Sequence, residues 1–127
     1  MNIYTLNAFT NTLRGCGEGI FTQPLLLNDG AKLSLQSSRM HFSSEDNGII
    51  DNYEVGTWEY LHELREYYEY NATYYEATTF IGHVMVAPNV PIDVILNIII
   101  KRGGIDKDAT LAEAAESCWQ CIKETVG

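Results

Sequence analysis

The residue types that could do chemistry fall into a few groupings. Cys118-Trp119-Gln120-Cys121 is a Cys-x-x-Cys. Redox pairs of this spacing sit at a helix N-terminus, where the dipole stabilises a thiolate. A helix beginning at Thr110 puts this pair in its third turn, without that help. A zinc site would need two further ligands from Cys16, His41, His62 or His83, and none is spaced as a second knuckle. The expectation is two small thiols and no metal, with zinc as the alternative. Arg39 and His41 point to the same face of one expected strand. They form the best polar pair for a small anionic ligand such as a nucleotide, although a solvated strand face is the simpler reading of them. Gly15-Cys16-Gly17-Glu18-Gly19 lacks the Lys-Ser/Thr of a phosphate loop and reads as a connector. No Ser-His-Asp order, metalloprotease helix or carboxylate with a recognisable proton-transfer partner stands out. The sequence therefore points away from an enzyme and calls for no cofactor.

The fourth grouping is larger. Between Glu45 and Glu76 lie nine acids and one base, Arg65, so this segment carries −8 of a total net charge of −9. Seven of the eight tyrosines fall in the same segment. Glu59, Glu63 and Glu66 recur at i, i+4 and i+7 and would share one face of a helix. With Glu69 they would make a negative ridge about 15 Å long. Like charges at this spacing repel, so the arrangement gains nothing from the chain itself. It does gain from a basic partner. Tyrosine beside such charge supplies contact area at low entropy cost. The expected partner-binding residues are Glu54, Glu59, Glu63, Glu66, Tyr67, Glu69, Tyr70, Tyr74 and Glu76. The competing reading is a solvated helix face that keeps the protein in solution.

Composition bounds the rest. The chain has 127 residues, 46% of them hydrophobic, enough for a single domain over 1–127 with its own core. The acidic balance argues against direct binding to nucleic acid or to an anionic membrane surface. The N-terminus has neither the basic start nor the apolar run of a secretory signal, so a cytoplasmic location is expected. The apolar run Val94–Ile100 is far short of a membrane span.

Local signals then predict the elements that must position these residues. Ile3, Leu6, Phe9 and Leu13 recur at helical spacing behind Asn2, a good cap. A hairpin is expected where Pro24–Leu27 and Leu33–Gln36 flank Asn28-Asp29-Gly30. A bulge near Ser37–Arg39 would bring Met40 and Phe42 onto the face of Leu33 and Leu35. Ser43–Gly48 reads as a polar loop and Asn52–Gly56 as a short strand. Trp58–Tyr70 reads as a helix capped by Thr57, with Trp58, Leu61, Leu64 and Tyr68 as its apolar stripe. Thr78–Ala87 reads as a buried strand ended by Pro88. A helix is expected from Pro91 to Arg102, stopped by Gly103-Gly104. Its apolar face is so wide that it is either central to the core or shared in a homodimer. A last helix is expected from Thr110, with Glu113 completing a capping box. Together these predict an α+β domain: a mostly antiparallel sheet of about four strands with three to four helices.

The strand Leu33-Ser34-Leu35-Gln36-Ser37-Ser38-Arg39-Met40-His41-Phe42, followed by Tyr53-Glu54-Val55-Gly56, resembles short phage and prophage accessory proteins without an assigned activity. Val86-Ala87-Pro88-Asn89-Val90-Pro91 and Arg102-Gly103-Gly104 fill the places of their later "V-P" step and Gly-Gly helix end. The resemblance covers about Gln23–Ile105 and departs from the pattern in the acidic, tyrosine-rich stretch after Gly56. It implies a phage accessory protein acting in the host cytoplasm and transfers no catalytic residue. By analogy with anti-CRISPR and anti-restriction proteins, the acidic district would block a basic host enzyme that handles nucleic acid.

Overall fold

The computed structural model describes residues 1–14, 22–37, 43–69, 73–75 and 83–126. For 73–75, 83–84 and 117–126 it describes the backbone alone. Among the described residues three α-helices pack against an antiparallel sheet, an α+β architecture. The helices are α1 (Ile3–Thr12), α2 (Ile92–Lys101) and α3 (Lys107–Val126). The strands are β1 (Leu25–Leu26), β2 (Lys32–Gln36), β3 (Ser44–Asp46), β4 (Ile49–Thr57), β5 (Thr73–Tyr75) and β6 (His83–Pro91). They are ordered β1-β2-β4-β6-β5, with β3 also paired to β4. The two strands beyond the expected four are three-residue pieces, β3 and β5, too short to show a periodicity of their own.

Local chemistry explains most boundaries. The Asn2 side chain accepts the Thr5 N–H (3.0 Å) and starts α1. In the β1–β2 hairpin the Gly30 N–H returns to the Leu27 carbonyl (3.0 Å), and Gly30 takes φ +93°. That is a type I turn followed by a left-handed residue, so of the Asp-Gly pair only the glycine needs positive φ. At the end of α2 the Gly104 N–H bonds the Ile99 carbonyl (2.8 Å) and the Gly103 N–H bonds that of Ile100 (3.2 Å). This is the Schellman pattern, and it uses both glycines at positive φ.

Several boundaries differ from expectation. Ser43–Gly48 is not wholly loop: Ser44–Asp46 pairs with β4 across Asn47-Gly48, both at positive φ. Asn-Gly is a strong signal for a tight hairpin turn. Pro88 does not end its strand. The β4–β6 register shifts between Tyr53 and Val55, opposite Pro88-Asn89, and Asn89 takes φ +50°. The proline therefore falls in a bulge, where its missing N–H costs no ladder bond. Pro91 closes β6 and stands at the cap of α2. The last helix starts at Lys107, where the Asp106 carboxylate accepts the Ala109 N–H (3.0 Å). Thr110 is instead fully buried and bonds the β1 backbone, while Glu113 pairs with Lys32. The bulge expected near Ser37–Arg39 lies outside the described residues beyond Ser37.

One sheet face carries Leu33, Leu35, Tyr53 and Val55 against Leu6 of α1, Leu13 just past its end, and Ile95, Ile98 and Ile99 of α2. The wide apolar face of α2 is thus largely core, with Ile100 left 65% exposed. On the other face Ser34 and Gln36 are also buried, 3% and 2% exposed. Gln36 holds the Thr22 main chain there at both its N–H and its carbonyl. The β1 edge is sealed by the α2–α3 connection. The Asp106 N–H bonds the Leu26 carbonyl (2.8 Å), the Asn28 N–H bonds the Gly104 carbonyl (2.9 Å), and Leu27 bridges Ile105.

Candidate functional site

The acidic, tyrosine-rich segment leaves the sheet at Thr57 and returns to it at Glu69, whose N–H bonds the Val86 carbonyl (2.9 Å). In between, the expected helix Trp58–Tyr70 is not formed. The described chain bends at Trp58-Glu59, makes one 3-10 turn over His62–Leu64 and continues in turns. The apolar stripe nevertheless finds the core: Leu61 and Leu64 are buried, and Tyr67 and Tyr68 pack against it. Tertiary bonds replace the helical ladder. The Tyr68 hydroxyl meets the Thr57 hydroxyl (2.6 Å) and accepts the Leu61 N–H (3.0 Å), tying the two ends of the loop. Burial raises the Tyr68 pKa, so this hydroxyl keeps its proton.

Without a helix there is no i, i+4, i+7 ridge, and Glu63 leaves the set of available carboxylates. The Arg102 guanidinium grips it in a fork, Nε to Oε2 at 3.0 Å and Nη2 to Oε1 at 3.1 Å. Its Nη1 donates to Asp29 (2.9 Å) in the β1–β2 turn. One arginine at the end of α2 therefore ties the acidic loop to the hairpin. These bonds hold the Glu63 carboxyl below the usual carboxylate range. A depressed carboxylate gives stability that is complete above its ordinary pKa and is lost as pH falls through the lower folded value. Arg102→Met is expected to cost about 1–3 kcal/mol near neutrality. Urea midpoints should show that cost shrinking as pH falls below the ordinary carboxylate value of 4.5, as the parent loses the same contribution.

The other expected site residues divide. Glu59, Glu66 and Glu69 are exposed, and no salt bridge engages them among the described residues. Tyr60, which is outside the expected set, is 59% exposed and stacks on Tyr68 with ring centroids 5.4 Å apart. Tyr67 is half-buried, and Glu54 is half-buried on β4 opposite Gln36. Tyr74 lies in β5 opposite Val84. Tyr70 and Glu76 lie outside the described residues, as do Arg39 and His41 of the nucleotide reading and the Gly15–Gly19 connector. Cys118 and Cys121 lie on the backbone of α3, well beyond its first turn. Among the described residues no three His, Cys, Asp or Glu side chains gather as a metal site, and no helix is long and apolar enough to cross a membrane.

Sequence reasoning missed Lys32, Trp58 and Arg102. Lys32 places its ammonium 4.8 Å from the Trp58 ring centroid and 2.6 Å from Glu113. Gly30, Ala31, Lys32, Trp58, Glu59 and Leu61 together line a pocket of about 200 Å³ beside the acidic loop. Only the turn signal at Asn28–Gly30 hinted that these distant residues would meet. No family model, curated protein or solved structure matches this chain. The site is therefore argued from its own chemistry: an exposed carboxylate surface with a stacked tyrosine pair and an indole at its border.

Proposed function

We propose that this chain is a non-enzymatic binding protein of the phage accessory kind, which docks on a basic host enzyme that handles nucleic acid and inhibits it. The observation that carries this reading is the concentration of −8 between Glu45 and Glu76, with Glu59, Glu66, Glu69 and Tyr60 all exposed. A groove that holds phosphate backbone is lined by arginine and lysine. An acidic surface competes for the same cations, and an exposed, stacked tyrosine adds contact area at low entropy cost.

The reading is tested with a panel of purified host restriction and CRISPR effector enzymes. The parent should inhibit one of them in competition with its nucleic acid, and inhibition should weaken steeply as salt rises. Glu59→Gln, Glu66→Gln and Glu69→Gln combined should reduce affinity by about tenfold or more at low salt. Glu63 is left in place, because its loss would disturb the Arg102 fork. Unchanged inhibition by the triple variant would exclude this surface.

A further inference from the structure

We propose that the pocket beside Glu59 seats an arginine side chain of the basic partner; this rests on the docking reading above. The pocket's volume, about 200 Å³, is below the roughly 300–1,000 Å³ of cavities that hold drug-sized ligands. It suits one long side chain. Leu61 offers an apolar wall for a methylene stem, and a Cβ at Gly30 would meet nothing within 4 Å, so the mouth on that side is clear.

Charge selects the kind of side chain. Lys32 already lies over the Trp58 ring, so the fold itself uses this indole as a cation platform. The Lys32 charge is matched by Glu113 at 2.6 Å. Glu59 lines the same pocket and no salt bridge engages it among the described residues, so the unmatched charge is negative. A planar guanidinium can lie against an aromatic ring while it meets a carboxylate with two parallel N–H donors. A lysine ammonium can do one of these well but has no plane to stack. An arginine that otherwise grips phosphate is thus the side chain whose chemistry this pocket matches.

The experiment follows the Trp58 indole N–H by NMR, with Trp119→Phe assigning the second indole. The probes are capped Gly-Arg-Gly peptides and their lysine, citrulline and glutamate counterparts at low salt. The arginine peptide should shift the Trp58 signal saturably, and lysine should bind less tightly. Citrulline, which keeps the shape and loses the charge, should give no saturable shift. Glu59→Gln should weaken the arginine peptide about fivefold while the rest of the spectrum stays in place. Equal binding of citrulline, preference for the glutamate peptide, absence of any saturable shift, or indifference to Glu59→Gln would each overturn the proposal. Peptide binding together with undiminished enzyme inhibition by Glu66→Gln and Glu69→Gln combined, which leaves Glu59 in place, would support the pocket and overturn the wider docking surface. Loss of inhibition without peptide binding would do the reverse.

Discussion

Tyr53→Ala is expected to destabilise the fold by about 3–5 kcal/mol, the range for truncating a buried aromatic. Among the described residues Tyr53 is the largest fully buried side chain, 1% exposed on β4 between the sheet and α1. Its hydroxyl lies 3.0 Å from that of Thr10. The Thr10 hydroxyl donates to the Asn7 carbonyl (3.1 Å), so Tyr53 is the donor of the pair. Tyr53→Phe keeps the ring and removes that donor, and should cost about 1 kcal/mol. The gap between the two variants, read from urea unfolding, separates packing from hydrogen bonding. Burial also raises the Tyr53 pKa above its ordinary 10.0. A raised folded pKa gives stability that is present below the unfolded value and lost as pH rises through the folded one. Tyr68 shifts the same way. Stability should therefore fall above about pH 10, and less steeply once both tyrosines are phenylalanine. Equal losses for Tyr53→Ala and Tyr53→Phe would refute the packing account.

Gln36→Leu is the second large effect. The Gln36 amide accepts the Thr22 N–H (2.8 Å), and its own N–H₂ donates to the Thr22 carbonyl and to the Ser34 hydroxyl (both 2.8 Å). The Arg14–Thr22 bridge is closed through the neighbouring Gln23 N–H to the Leu13 carbonyl (2.9 Å), which leaves the Thr22 amide group to Gln36. Leucine fills similar space but orphans a buried donor and a buried acceptor. At about 1–3 kcal/mol for each, the expected loss is about 2–6 kcal/mol. Gln36→Glu should be partly restored by acid, since a protonated carboxyl can again donate to the Thr22 carbonyl. Its stability should approach the parent's below about pH 4, after correction for the parent's own acid sensitivity. A Gln36→Leu variant within about 0.5 kcal/mol of the parent would show that the clamp contributes little.

These residues also show what could be read from the sequence. The first helix, the β1–β2 hairpin and the Gly-Gly stop of α2 were legible because each depends on a side chain or glycine within a few residues. The α+β class followed from them. The segment after Thr57 was not. Its apolar spacing is genuine, and Leu61 and Leu64 do reach the core. However, four glutamates at repelling spacing disfavour a helix, and its competitors come from far along the chain. Glu63 turns to Arg102, and Glu69 joins β6. The burial of Ser34 and Gln36 on β2 was not legible either, because alternation reports side-chain direction and says nothing of what will cover it. Two local signals were present and underused, the Asn47-Gly48 turn and Pro88 as a bulge residue. The pocket around Trp58 was invisible, since Lys32, Trp58 and Glu113 meet only in the folded chain.

The seal on the β1 edge has a consequence for biosynthesis. Leu26 and Thr110 are 84 positions apart, so the hairpin leaves the ribosome long before the segment that covers it. During that interval Leu25–Leu27 presents unpaired backbone beside apolar side chains, the kind of surface that recruits other nascent chains. The acids of 45–76 are translated within the same interval. Their like charge opposes the association of unfinished chains before residues 104–110 arrive to close the edge.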